Sequence, residues 1–340
     1  MKLTINLSER SYDILLQRGG LANLGEYVNL KRKVLIVSDN GVPLSYLKKV
    51  QAQCSQGILA VVEQGEQAKS MEVFTHLLTK CQEHHFTRSD LILAVGGGVM
   101  GDLAGFVASA YLRGMDFVNC PTTTLSQIDS SIGGKVGINF NGTKNIVGAF
   151  HQPKFVLIDP DTLNTLSDRH FAAGLAEAVK AGMIADPALF TLFEEETISK
   201  TSPNLEKILF ASLQMKKSFV EADEKELGIR AALNFGHTIG HGIESYGHLQ
   251  ELYHGECVAL GMIPMTENET LRRRLLLIYE KLGLPTSISY DGDAVYQAMT
   301  YDKKNKGNTT KIVKVKTLGT YHFQRVETAS LRSMVGGGIS

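Results

Sequence analysis

Two histidines stand four residues apart in the segment NFGHTIGHGIE, at His237 and His241. That spacing places both imidazoles on one face of a helix. A third histidine, His254, follows in YHGE, and Glu177 stands upstream in GLAEAVKAG, one helical turn before Lys180. Two imidazoles and a carboxylate can bind Zn²⁺ and leave a coordination position open for substrate oxygens. The spacing therefore predicts a metal site, and it leaves open whether His241 or His254 completes that site.

A glycine-rich loop is the second chemical feature. The apolar run at 91–95 is followed by GGGVMGD (96–102) and then by a helix-like segment. A strand, a glycine loop and a helix in this order place backbone N–H groups against phosphate. The loop contains G-x-G-x-x-G, but no acidic residue follows about 20 positions later, as an ordinary dinucleotide fingerprint requires. Polar groups at Asp39, Asn40 and 65–69 also follow strand-like runs, so the pattern predicts a nucleotide site at one sheet edge.

The segment 121–150 reads as a long polar connection that is rich in glycine and serine. Its polar side chains include Thr122, Thr123, Asp129, Lys135, Lys144 and Asn145. A long polar connection inside a compact domain is usually functional. Lysine supplies charge to phosphate, while aspartate and asparagine bind hydroxyl groups. The segment thus favours a phosphorylated, hydroxylated substrate, and the alternative is an exposed surface loop.

The elements that must position these residues differ between the two halves of the chain. In the first half, short apolar runs alternate with helix-like stretches such as 70–84, which predicts βαβ units and a parallel sheet. The predicted strands are 33–38, 58–62, 91–95 and 155–158. From about residue 159 helical periodicity dominates, as at 171–183, 205–219 and 255–284. We therefore predict an α/β domain at 1–159 and a mostly α-helical domain at 160–340.

Two smaller features near the C-terminus carry predictions of their own. The segments 311–315 and 319–323 alternate in a way that indicates a small hairpin. The final residues, VGGGIS, are expected to be disordered.

Composition excludes several classes of partner. The 340 residues carry 35 basic and 35 acidic side chains, so no basic excess favours nucleic acid. The most apolar stretch, 91–112, contains a glycine triplet and Asp102, which is unsuited to a membrane helix. The four cysteines are far apart and form no C-x-x-C pair, and the N-terminus shows no signal-peptide core. We expect a cytoplasmic protein with no nucleic-acid or membrane partner.

Together these segments resemble the 3-dehydroquinate synthase family, a group of sugar phosphate cyclases. The matching motifs, between residues 38 and 262, are GGGVMGDLAGFVAS, PTTTLSQIDSSIGGKVGIN, KNIVGAFHQP, GLAEAVKAG, DEKELGIRAALNFGHTIGHGIE and YHGE. Several long motifs in the right order are far more specific than any one alone. The resemblance implies an α/β NAD-binding domain, a mostly helical metal- and substrate-binding domain, and an active site in the cleft between them.

The resemblance also implies roles for individual residues. Glu177, His237 and His254 become the ligands of one divalent metal, Zn²⁺ or Co²⁺, and His241 becomes a substrate-side residue. The implied catalytic residues are Asp129, Lys135, Lys180, Lys216, Arg230, Asn234 and His241. The implied substrate-binding residues are Arg113, Lys144, Asn145, and Lys303 or Lys304. The implied NAD contacts are Asp39, Asn40, Gly65, Glu66, Lys69, Gly97, Gly98, Val99, Gly101, Asp102, Thr122, Thr123, Lys135, Lys144, Thr162, Leu163 and Thr165.

The implied activity is a lyase reaction of the shikimate pathway, which leads to chorismate and the aromatic amino acids. It converts 3-deoxy-D-arabino-heptulosonate 7-phosphate to 3-dehydroquinate and phosphate by transient oxidation, phosphate elimination, reduction and aldol closure. A homodimer is expected from the resemblance. The alternatives are a metal-dependent polyol dehydrogenase, another sugar-phosphate cyclase and a non-catalytic nucleotide-binding protein. A polyol dehydrogenase acts on an uncharged alcohol and has no need for several cations around one pocket.

Overall fold

The computed structural model describes residues 1–246, 252–301, 309–336 and 338–339. Contacts between Cα atoms divide the chain into two compact units, Met1–Leu166 and Ser167–Ser340. The change to helical periodicity in the sequence predicts a domain boundary after residue 159. That position lies shortly before the end of the first unit at Leu166. No helix in the described ranges has the length and apolar character needed to cross a bilayer.

The first unit is built on a seven-stranded sheet with the order β1-β2-β9-β6-β5-β3-β4. Its strands and helices are β1 (Lys2–Ile5), β2 (Tyr12–Leu16), β3 (Lys33–Asp39), α1 (Leu44–Gln51), β4 (Gln56–Val62), α2 (Met71–Glu83), β5 (Leu91–Gly96), α3 (Gly98–Ala110), β6 (Asp116–Pro121), β7 (Lys135–Phe140), β8 (Thr143–Phe150) and β9 (Phe155–Ile158). The pairs from β2 to β4 across the sheet are parallel, and β1 adds an antiparallel edge.

Hydrophobic cores lie on both faces of this sheet. The apolar runs of β3 and β5 are fully buried because α1 packs on one face and α2 and α3 pack on the other. From β3 the chain continues through α1 to β4, which lies on one side of β3. From β5, which lies on the other side of β3, the chain continues through α3 to β6, farther out on that side. The strand order thus reverses between β3 and β5, and a crevice forms outside the carboxyl ends of strands at such a point.

The four predicted strands are confirmed, but the structure adds strands that the sequence pattern did not indicate. Strands β1, β2 and β6 were missed, and in β6 the polar Asn119 interrupts the apolar run although it is itself buried. The prediction of one long connection at 121–150 was wrong in part. That segment contains one turn of π-helix, Ser126–Ser130, and the antiparallel hairpin β7–β8. Strand β8 is largely exposed, so its polar residues conceal the strand pattern.

The second unit is mostly helical, as predicted. Its elements are α4 (Asp168–Ile184), α5 (Pro187–Glu195), α6 (Leu205–Ala222), α7 (His237–Ser245), α8 (His254–Met265), α9 (Glu269–Leu282), β10 (Ile288–Ser289), α10 (Gly292–Tyr301), β11 (Thr309–Lys314), β12 (His322–Glu327), α11 (Leu331–Val335) and β13 (Gly338–Ile339). The periodic run at 255–284 is two helices, since Asn268 caps α9 by accepting a hydrogen bond from Leu271 N at 2.9 Å.

The two predictions for the C-terminal region had different outcomes. The hairpin is confirmed as β11–β12, although its second strand lies a few residues later than expected, with Lys311 opposite Arg325. For the described residues of the tail, the expectation of disorder was wrong. Gly338 and Ile339 pair with Ser289 and Ile288, so backbone hydrogen bonding orders a segment whose side chains contribute little.

Candidate functional site

Helix α7 places two of the predicted histidines side by side. It begins at His237 because Gly236 adopts a left-handed backbone conformation, φ 81°, immediately before it. One turn later stands His241, and the two ring centroids are 5.1 Å apart. The ring of His254 lies 5.3 Å from that of His237 and 5.8 Å from that of His241. Nitrogen atoms of the three imidazoles lie within 4.8 Å of one another, so geometry alone permits a three-histidine site.

The position of His254 is set by a buried acid at the start of α8. Glu256 accepts a hydrogen bond from Tyr253 N at 2.8 Å, which closes the first turn of the helix. The same carboxylate accepts two hydrogen bonds from Arg169 on α4, at 2.8 and 2.9 Å. This fork-shaped pair ties α8 to α4 and fixes where His254 enters the cluster.

Glu177 on α4 is the fourth member of the cluster. Its Oε1 lies 3.6 Å from His237 Nε2 and 3.9 Å from His254 Nε2, while its Oε2 contacts Lys180 Nζ as an ion pair. Apart from that ion pair, neither carboxylate oxygen has a hydrogen-bond partner among the described residues, although the side chain is buried. Ligand atoms about 2.0 Å from a tetrahedral Zn²⁺ are about 3.3 Å apart. The two carboxylate–imidazole separations and the buried carboxylate thus fit a divalent cation held by Glu177, His237 and His254.

The two imidazoles nearest Glu177 both present Nε2 to it. Nδ1 of His237 lies 3.2 Å from Phe235 O, and Nδ1 of His254 lies 3.1 Å from Glu244 Oε2. Burial and the nearby Lys180 lower the pKa of His237 well below its ordinary value, which favours the neutral imidazole that binds metals. Burial alone would lower the pKa of His254, but the Glu244 carboxylate outweighs it and raises that pKa.

Buried polar side chains from α6 and the 3₁₀ turn Ile229–Asn234 belong to the same unit. Lys216 and Arg230 are 5% and 3% exposed, and such deep burial is unusual for charged side chains. Arg230 donates to Glu224 O, and Asn234 donates to Glu226 Oε1 at 2.8 Å. These residues were predicted as substrate groups. Lys303 and Lys304 lie outside the described residues.

The first unit brings the predicted nucleotide contacts to the carboxyl edge of its sheet. Asp39 ends β3, and a Cβ placed on Gly96 at the end of β5 would lie 3.6 Å from Asp39 Oδ2. A Cβ on Gly97 would lie 3.1 Å from Thr123 Cγ2, after β6. Gly98, Val99, Gly101 and Asp102 form the first turns of α3. The predicted strand–loop–helix arrangement is therefore present at the point where the strand order reverses.

A buried lysine links three further predicted residues. Lys69 is 3% exposed and donates to Asp102 Oδ2 at 2.7 Å and also to Asn145 Oδ1. Glu66 Oε1 lies 3.7 Å from the same Nζ and accepts from Asn139 Nδ2 at 2.9 Å. The ammonium group thus joins the residues after β4 to α3 and to the hairpin β7–β8. Asn139 in this cluster was missed, because an asparagine within a strand carries no spacing signal.

The remaining predicted residues of the first unit lie in several places. Asn40 donates to Glu63 Oε2 at 2.7 Å, and Gly65 precedes the 3₁₀ turn Glu66–Ala68. In the 3₁₀ turn Pro160–Thr165, Thr162 accepts from Gln127, Leu163 is buried and Thr165 lies 3.2 Å from Tyr46 OH. Of the others, Thr122 follows β6 and Asp129 lies in the π-helical turn. Lys135 and Lys144 are exposed on the hairpin β7–β8.

Arg113 is separated from the other predicted residues of the first unit. It follows the C-terminal end of α3, in a 3₁₀ turn with φ 67°, shortly before β6 begins. Strands β5 and β6 are parallel, so this turn lies at the amino edge of the sheet and the glycine loop lies at the carboxyl edge. Arg113 lies close to the glycine loop in the sequence. Helix α3 separates the two, so Arg113 lies at the opposite edge of the sheet.

Comparison with known proteins agrees with the motifs. Residues 59–173 match the model of the 3-dehydroquinate synthase N-terminal family, and residues 174–305 match that of the C-terminal family. The 3-dehydroquinate synthase of Enterococcus faecalis is 41% identical over all of both chains. That of Streptococcus mutans is 40% identical over 98% of this chain and 99% of its own. The chain belongs to the 3-dehydroquinate synthase family. The family predicted from the motifs is thereby confirmed, and so is the prediction of an enzyme.

Solved structures confirm the fold predicted for this 3-dehydroquinate synthase family member. The 2-epi-5-epi-valiolone synthase from Streptomyces hygroscopicus, solved with NAD⁺ and Zn²⁺ bound, superposes with a TM-score of 0.86. It is 29% identical and covers 97% of each chain. The fold class is thus that of the sugar phosphate cyclases, an α/β domain followed by a mostly helical one.

Close packing between α7 and α8 leads to a testable expectation for this family member. A Cβ on Gly261 would lie 2.0 Å from Gly236 O and 2.8 Å from Gly240 N, both backbone atoms that cannot rotate away. We expect Gly261→Ala to lower the free energy of unfolding by about 1–3 kcal/mol. We also expect weaker Zn²⁺ binding, because α7 must move and His237 moves with it. Thermal melting and zinc titration measure the two effects.

Gly25→Ala is the matched control for that substitution. Its nearest atoms would be 3.6 and 3.8 Å from the new Cβ, which is ordinary contact, so melting and zinc binding should stay unchanged. Wild-type stability and zinc affinity in Gly261→Ala would contradict the close helix contact described above.

Proposed function

We propose that this chain is a 3-dehydroquinate synthase that converts 3-deoxy-D-arabino-heptulosonate 7-phosphate to 3-dehydroquinate and phosphate. This is a step of the shikimate pathway. The observation that carries the proposal is the convergence of Glu177, His237 and His254, with Lys180 on the second carboxylate oxygen. Full-length relatives at about 40% identity carry the same enzyme name.

The proposed cofactors are NAD and one divalent metal ion, Zn²⁺ or Co²⁺. NAD⁺ and Zn²⁺ are bound in the related valiolone synthase. We assign the metal to Glu177, His237 and His254, and the nucleotide to the carboxyl edge of the sheet in the first unit. When bound, NAD⁺ provides reversible hydride acceptance and the metal provides Lewis-acid polarisation of substrate oxygens.

The chain's own residues supply binding charge and proton handling in this proposal. Lys216 and Arg230 are buried cations that can form charge-assisted pairs with the substrate carboxylate and phosphate. Asn234 and His241 border the metal ligands in sequence, and we assign them to protons on substrate hydroxyls. Lys180 forms an ion pair with Glu177 and so balances the charge of a buried carboxylate. Holding one flexible sugar through several steps is mainly a positioning task.

The residues of the first unit complete the proposed substrate and nucleotide set. Lys135, Lys144, Asp129 and Asn145 are assigned to substrate or nucleotide from the polar segment that contains the hairpin β7–β8. Lys69 and Asp102 already form an ion pair there at 2.7 Å, which supports a role for both in shaping the nucleotide edge. The role of Arg113 stays a proposal from the resemblance.

One assay tests the proposed function. Purified protein is incubated with the heptulosonate phosphate, Zn²⁺ and NAD⁺ in catalytic amount. We expect one phosphate released for each dehydroquinate formed, with no net NADH absorbance, because the hydride is returned to the substrate. Accumulation of NADH with a simple polyol would favour a dehydrogenase, and turnover of a hexose or sedoheptulose phosphate alone would favour another cyclase.

We also propose that the protein acts as a cytoplasmic homodimer. Membership of a biosynthetic enzyme family supports both the dimer and the location. Light scattering of the purified protein tests the first statement, since a monomer mass of 37.2 kDa in the active fraction would overturn it.

A further inference from the structure

We propose that Glu244 is a positioning residue for His254: its carboxylate accepts the Nδ1–H of that imidazole and thereby presents Nε2 to the metal ion. The inference rests on the metal site of the proposed function. It assigns a role to a residue that the sequence motifs contain, in GHTIGHGIE, but that spacing and resemblance left without one.

The contact itself is direct. Glu244 Oε2 lies 3.1 Å from His254 Nδ1, and both side chains are mostly covered, with 20% and 29% exposure. A neutral imidazole carries one N–H, and the nitrogen without hydrogen is the one that can bind a metal. A carboxylate on Nδ1 therefore fixes the tautomer in which Nε2 has the free lone pair. That Nε2 is the atom that faces Glu177 Oε1 at 3.9 Å.

The periodicity of α7 explains why Glu244 reaches this position. His237, His241 and Glu244 are at positions i, i+4 and i+7 of one helix, so all three project from one face. Helix α7 approaches α8 closely at Gly240, where an added Cβ would lie 2.8 Å from Cys257 O, and His254 is the first residue of α8. A group carried on a helix is held more accurately than one on a loop, which suits a residue that must orient another.

The other proposed imidazole ligand is oriented in a parallel way but by a different kind of group. Nδ1 of His237 lies 3.2 Å from Phe235 O, a backbone acceptor that no side-chain substitution removes. His254 has a side-chain acceptor at the equivalent atom. The two histidines thus provide an internal comparison, because only the orientation of His254 can be removed by changing one residue.

The test compares Zn²⁺ affinity in full-length Glu244→Ala, Glu244→Gln and wild-type protein by competition with a chromophoric chelator. Loss of an outer partner of a metal-binding histidine typically weakens metal binding about 10–100-fold, and we expect that loss in Glu244→Ala. Glutamine keeps an acceptor oxygen without the charge, so Glu244→Gln should lie closer to wild type. The control is Glu194→Ala, which removes a similarly exposed carboxylate paired with Arg274 and should leave zinc affinity unchanged.

The outcomes separate this inference from the proposed function. A folded Glu244→Ala protein with wild-type zinc affinity overturns the positioning role while the metal site stands. Equal losses in the alanine and glutamine variants overturn it in favour of a purely electrostatic role. Wild-type protein that binds no zinc contradicts the proposed function itself. If the variants do not fold, the ¹⁵N shifts of His254 in the zinc-loaded wild type decide, since protonation at Nε2 would overturn the inference.

Discussion

Replacing His254 with alanine is expected to abolish turnover and to lower the metal content of the purified protein. The substitution removes one of the two imidazole nitrogens that face Glu177 Oε1. Lewis-acid stabilisation by a metal is worth several kcal/mol, so we expect kcat to fall by at least about a thousandfold. Phosphate release and elemental analysis on the same preparation measure both effects.

The control for that experiment is His76→Ala. His76 is an exposed histidine on α2 in the first unit, and its removal should leave both activity and zinc content unchanged. Full activity in His254→Ala with a wild-type zinc content would mean that His241 completes the site in place of His254. Such a site is geometrically possible, because the three imidazoles lie close together.

Replacing Lys180 with methionine is expected to destabilise the metal-free protein strongly. Lys180 and Glu177 form an ion pair with side-chain exposures of 2% and 1%, so methionine leaves a buried carboxylate without its cation. Removal of one partner of such a pair typically costs about 3–5 kcal/mol. Added Zn²⁺ supplies a new positive charge beside Glu177, so zinc should raise the melting temperature of Lys180→Met more than that of wild type.

Arg273→Met is the control, since Arg273 and Glu269 form an ion pair on α9 with 74% and 72% of their side chains exposed. Ion pairs open to solvent contribute about 0–1 kcal/mol, so this control variant should melt close to wild type. Zinc should raise the melting temperature of the control variant and of wild type equally. Equal melting of metal-free Lys180→Met and wild type would contradict a desolvated pair at Glu177. If zinc raises the melting temperature of Lys180→Met and of wild type equally, the cation does not bind beside that carboxylate.

Local spacing predicted the part of the candidate metal site that lies on one helix. His237 and His241 project from one face of α7, as the i, i+4 separation indicates. Periodicity extended by one more turn also reaches Glu244, so that residue was within range of the same reasoning. The contribution of Glu177 was different in kind, because α4 is separated from α7 by α5 and α6 and only tertiary packing brings them together.

The glycine loop shows the same division between local and tertiary information. The order of strand, glycines and helix at 91–110 was readable because β5 is apolar throughout and α3 begins within the glycines. The pairing of Lys69 with Asp102 and Asn145 was not readable, since it joins residues after β4 to α3 and to β8. Polar residues within β6 and on the exposed face of β8 concealed strands that pair through their backbones.

The most direct test of the central claim is a crystal structure of the zinc-loaded protein with anomalous scattering recorded at the zinc edge. The account predicts one ion bound by Glu177 Oε1, His237 Nε2 and His254 Nε2, at about 2.0–2.2 Å from each. An ion held instead by His237, His241 and His254, with Glu177 bound only to Lys180, would contradict it.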